Sequence, residues 1–142
     1  MRLNRRHADL SAIEFHYVLG LLRQYRKSPI NAHVLSEQVE ACVYQEVDLK
    51  KKIVTADVAL LLLGFFDPHG QGFYRKRSSY ALWYYGRIAR RCYWEVSDTT
   101  GKRLYASMSR NFSDWVNALS GLARSLKEQS LARFLVNQET EN

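Results

Sequence analysis

The stretch Val58-Ala-Leu-Leu-Leu-Leu-Gly-Phe-Phe66 carries no charged side chain. Coiled as a helix it is apolar on every side, so other elements, or a second copy of the chain, must cover it. It is far shorter than the roughly 18–20 apolar residues that cross a bilayer. The chain must therefore build a core around it. Its 142 residues suit one domain, since a single core usually serves roughly 100–200. The basic N-terminus (Arg2, Arg5, Arg6) is followed by no apolar run of signal-peptide type, so we expect no leader. The two cysteines, Cys42 and Cys92, read as free thiols of a cytoplasmic protein, with a single disulfide left open.

Helical spacing dominates both ends. Ser11-Ala-Ile-Glu14 has the spacing of a capping box, and Ile13, Tyr17, Leu21 and Tyr25 follow at one-turn intervals. Ser28-Pro29 closes that helix. A second is expected from about Asn31, burying Leu35, Val39, Cys42, Val43 and Leu49, with Lys50-Lys51-Lys52 at its C-terminal dipole. Thr55 reads as the cap of the apolar helix, with Asp57 in its first turn. Asp67-Pro68-His69-Gly70 reads as a turn. A last helix begins near Asn111 or Ser113, and the polar residues 137–142 are expected to form a flexible tail.

Between these lies the segment that carries the charge. Residues 71–110 hold nine cations against Glu95 and Asp98, an excess equal to the net +7 of the whole chain. Seven of the nine are arginine, and nine of the eighteen aromatic residues fall in the same stretch. Ser78 to about Arg91 reads as a helix with Tyr80, Tyr84, Arg87 and Arg91 on one stripe, although a strand is the rival. Cys92, Trp94 and Val96 then alternate with Tyr93 and Glu95. Leu104, Ala106 and Met108 alternate in the same way beyond Gly101. This predicts an antiparallel hairpin over about 92–108, with Trp94 inside and Tyr93 and Tyr105 paired outside. The expected fold is thus α+β, a mostly helical single domain over 1–142 with one hairpin.

Helix, turn, helix and hairpin across residues 55–108 resemble a winged helix in element order, over about a third of the chain. That resemblance implies a recognition helix at Ser78–Arg91 and a wing at Asp98–Arg103. Guanidinium groups suit phosphate and stack on aromatic faces. We therefore expect a non-catalytic nucleic-acid-binding protein, DNA (double-stranded) favoured over RNA, serving as a small regulator or accessory factor of a nucleoprotein complex. The candidate contacts are Arg75, Lys76, Arg77, Tyr80, Tyr84, Arg87, Arg90, Arg91, Lys102 and Arg103. Stacking of unpaired bases on exposed aromatics is a weaker variant. The alternative is an adaptor or inhibitor whose basic face docks on an acidic protein, because steering by charge uses the same residues.

Catalysis has little to stand on. His7, His16, His33 and His69 are scattered, no metal-ligand spacing or phosphate-cradling glycine loop occurs, and both cysteines fall on apolar faces. We expect no enzyme, cofactor or metal. A homodimer through the apolar helix 55–66 or the C-terminal helix is a further expectation, and no contact with a membrane.

Overall fold

The computed structural model describes the backbone of residues 11–25, 32–66 and 78–141, and side chains within 11–25, 35–65 and 84–129. The expected turn at Asp67–Gly70 and the helix stop at Ser28-Pro29 lie outside these residues, as do Arg75, Lys76 and Arg77.

Helix α1 (Ala12–Tyr25) opens on the capping box. The Ser11 amide donates to Glu14 Oε2 at 3.1 Å, and the Glu14 amide donates to Ser11 Oγ at 3.2 Å. That reciprocal pair satisfies two orphan donors of the first turn. Glu14 does more, because its side chain is only 1% exposed. Its other oxygen accepts from Asn111 Nδ2 and from Trp115 Nε1, both at 3.1 Å, so one carboxylate both starts α1 and fastens it to the far end of the chain.

Helix α2 (Ala32–Tyr44) buries Leu35, Val39 and Cys42. Helix α3 (Leu49–Leu61) starts at Asp48, whose Oδ1 accepts from the Lys51 amide at 2.8 Å. Lys50–Lys52 therefore occupy the first turn of α3, where the dipole does not favour cations, and not the last turn of α2. Thr55 is no cap either. It sits inside α3, donating to the Lys51 carbonyl at 2.8 Å and accepting from the Cys42 thiol at 3.6 Å. The better acceptor, Asp48, wins the cap and moves the boundary upstream.

From Thr55 to Gly64 every residue is buried, so of the two covers open to the run, other elements or a second copy, the chain's own helices supply the cover over this stretch. Helix α3 packs against α1, α2, α4 and α6 and passes into a π-helical turn, Leu62–Phe66. There Gly64 lets α6 approach. A β-carbon at this position would stand 2.9 Å from Leu119 Cβ and 3.2 Å from the Val116 carbonyl, and Ser120 donates to the Gly64 carbonyl at 3.0 Å.

Helix α4 (Ser78–Thr100), α5 (Arg103–Arg110) and α6 (Phe112–Glu141) complete the described chain. No strand occurs among the described residues, so the α+β class, its hairpin over 92–108 and the winged-helix resemblance are all overturned. The error has a physical source. Cys92 and Val96 satisfy period two, but Ile88, Ala89, Cys92, Tyr93 and Val96 also form one helical stripe, and all five are buried. Gly101 is the helix stop and not a hairpin tip. With φ of +74° it takes the left-handed conformation that follows many helix ends, its amide donating to the Ser97 carbonyl at 2.7 Å. Chain reversal there lays α5 antiparallel on α4, where Ser109 Oγ donates to the Arg90 carbonyl at 2.8 Å.

Asp57 ties the bundle together from inside. Its Oδ1 accepts from the hydroxyls of Tyr17 on α1 and Tyr93 on α4, each at 2.6 Å, and the residue is 6% exposed. Tyr17 meets Tyr105 of α5 edge-on at 5.9 Å, and Tyr93 stacks on the same ring at 6.0 Å. Burial pushes the Asp57 carboxyl up to about 6, although both tyrosine bonds pull it down. Burial and the neighbouring Asp57 charge push the Tyr17 and Tyr93 hydroxyls up as well, so both stay protonated donors.

Two expectations follow from this packing. Gly64→Ala should cost about 1–3 kcal/mol in urea denaturation through overpacking against α6, whereas Gly20→Ala, in open space on a helix, should gain about 0.5–1 kcal/mol. Equal effects at both sites would contradict the close approach. For Asp57, the folded pKa lies above the unfolded 3.8, so its contribution is fully present below that value and lost as pH rises through about 6. Relative to the parent, Asp57→Asn should therefore gain roughly 3 kcal/mol between pH 3.5 and 7. A difference independent of pH would contradict it.

Candidate nucleic-acid interface

The α4 backbone sorts its side chains by rotation. Successive residues stand about 100° apart, so the stripe that sends Ala89, Cys92, Tyr93 and Val96 into the core sends Arg87, Arg90, Arg91, Trp94 and Asp98 outward. All five are exposed. Trp94 and Tyr93 thus exchange the places expected of them in a hairpin. Tyr93 is 0% exposed and Trp94 56%. The indole lies one turn from Arg90 and Arg91 and two turns from Arg87.

The cations continue around the turn. Lys102 and Arg103 are exposed at the start of α5, and Arg110 is exposed at its end, one residue from the Ser109 contact with Arg90. The α4–α5 hairpin from Arg87 to Arg110 thus presents six exposed cations against two carboxylates, Glu95 and Asp98. Arg87 to Thr100, where α4 ends, spans about 20 Å along the helix. Arg90, Lys102 and Arg103 form no ion pair among the described residues.

Arg91 does have a partner. Its Nε donates to Glu95 Oε1 at 3.1 Å, while Lys52 Nζ donates to Glu95 Oε2 at 2.9 Å. Burial alone would raise the Glu95 carboxyl, but the Lys52 bond and the Lys52 and Arg91 charges hold it below the usual range. Glu95 is therefore a bridging anion that fastens the first turn of α3 beside the arginine stripe. Lys52, Trp94 and Arg110 were missed as site residues by sequence reading. The lysine run belongs to α3 and not to the end of α2, and Trp94 faces outward and not into the core. Carrying the helical phase of Arg87 and Arg91 forward by one turn would have found the indole.

The other expected residues divide. Tyr84 is half-buried and meets Tyr85 edge-on at 5.4 Å, so only part of its ring faces outward. Tyr80 belongs to α4, with its side chain outside the described part. The structure brings Arg87, Arg90, Arg91, Lys102 and Arg103 onto one helical hairpin.

Elsewhere, an open cavity of about 540 Å³ lies between α2 and α3, walled by Ala41, Cys42, Val47 and Val54 with Glu37, Gln38 and Lys51 at its polar edges. Its walls include none of the expected binding residues. Both cysteines are free and buried, and burial, followed by the adjacent Cys42 thiol, pushes the Cys92 thiol up to about 12, where it is a poor nucleophile. No helix among the described residues is long and apolar enough to cross a membrane. Set beside protein-family models, curated proteins and solved structures, the chain matches none.

Proposed function

We propose that the chain is a non-catalytic nucleic-acid-binding protein, a cytoplasmic regulator or accessory factor of a nucleoprotein complex, and that the α4–α5 hairpin is its contact surface. The observation that carries this reading is the concentration of six exposed cations on one helical hairpin, with Arg90, Lys102 and Arg103 not neutralised by carboxylates among the described residues. Phosphate recognition needs cations on one surface and no particular fold, so it outlives the loss of the wing. The preference for duplex DNA does not: its reason was a recognition helix flanked by a wing. The Asp57 cluster is no rival site. Its carboxylate is sealed in the core and its two bonds go to core tyrosines.

Binding should be strongly salt-dependent. If roughly six phosphate contacts form, affinity for an oligonucleotide should fall about a thousandfold between 50 and 200 mM salt, read by fluorescence anisotropy. Replacing Arg90 and Arg91 together by alanine should weaken binding and flatten the salt slope by about two. Affinity indifferent to salt would count against the reading. Glu95→Gln should tighten binding severalfold at low salt by releasing Lys52 and Arg91, at a stability cost of no more than about 1 kcal/mol. Retention of a protein partner after nuclease treatment would favour the adaptor reading, in which the same face docks on an acidic protein.

Self-association is proposed through α6. Residues 55–63 are consumed by the chain's own core, whereas Leu122 and Leu126 of α6 remain exposed. Light scattering over a range of concentrations should show a dimer that Leu122→Lys dissolves; a monomer throughout would contradict it.

A further inference from the structure

We infer that the α4 face binds an unpaired strand, with one base stacked on Trp94. This rests on the nucleic-acid reading above and names its substrate class. A single exposed apolar residue means little by itself. Trp94 differs in its setting. It is 56% exposed on the outward stripe of α4, with exposed Arg90 and Arg91 one turn before it and Arg87 two turns before it. Asp98 lies one turn beyond and marks where the cationic stripe weakens.

The chemistry discriminates between duplex and single strand. A duplex hides the faces of its bases in its own stack and offers a helix only groove edges and phosphates. An indole standing out from a convex helix has nothing to stack on there unless a base step is first prised apart, which costs a few kcal/mol. An unpaired strand presents open base faces beside its phosphates. Cations spaced along a surface, with an aromatic ring among them, match that pairing of needs, and any base suffices because every base has a π-face. Charge complementarity sets the occupant as a polyanion, and the ring sets it as one with accessible bases.

The test uses the full chain with a labelled mixed-sequence oligonucleotide, the same sequence as a duplex, and heparin, a polyanion without bases. The single strand should bind more tightly than the duplex. Trp94→Ala should weaken single-strand binding about tenfold or more and leave the salt slope and heparin binding unchanged, while Trp94→Phe recovers most of the loss. Because Trp94 is exposed, thermal unfolding should confirm that both variants fold as the parent does. Duplex preference, or single-strand affinity unmoved by Trp94→Ala, overturns this inference. If the Arg90/Arg91 double variant still loses affinity, the nucleic-acid reading survives that result. Failure of all three polyanions to bind, or binding that the arginine changes do not touch, overturns both.

Discussion

The hydrogen bond from Tyr93 to the buried Asp57 sets the rotation of the helix that matters most. A 2.6 Å bond to a carboxylate sealed in the core holds Tyr93 inward, and helical geometry then leaves no choice for its neighbours. Trp94 and the arginines one and two turns before it face solvent. Bonds to a charged group are worth about 1.5–3 kcal/mol each, and an uncompensated buried carboxylate would cost more than that. Turning α4 to bury the indole would break the bond and expose Tyr93, Val96 and Cys92. The interior thus determines what the exterior displays.

The same economy of polar groups runs through the bundle. Glu14 closes the capping box with one oxygen and holds Asn111 and Trp115 with the other. Glu95 joins Lys52 to Arg91, linking the start of α3 to the middle of α4. Glu14, Asp57 and Glu95 each work between two elements, and six exposed cations stand on the α4–α5 hairpin. That imbalance is what the proposed function uses. An apolar hub, α3, is wrapped by helices whose polar sides face solvent.

Much of this was legible in the residues. Ser11 and Glu14 announced the first helix, the uncharged run announced the hub, and the arginines of 87–91 announced the cationic stripe. What failed was phase in short windows. Cys92, Trp94 and Val96 fit a period of two as well as Cys92 and Val96 fit a helical one, and only the long-range partner of Tyr93, thirty-six positions earlier, decides between them. Gly101 misled for a similar reason, since a left-handed glycine serves helix ends and hairpins alike. Lys50–Lys52 are ambiguous in the same way, since Thr55 and Asp48, seven residues upstream, are both acceptable caps by sequence and each puts the lysines on a different helix. These are choices made by tertiary contact and not by local propensity.

The orientation of Trp94 decides the account. The difference in fluorescence between the parent and Trp94→Phe isolates this indole from Trp83 and Trp115. Emission characteristic of a water-exposed ring, readily quenched by acrylamide, is the predicted result. A blue-shifted, unquenched difference spectrum would place the ring inside the core, turn the arginine stripe with it, and contradict the arrangement of α4.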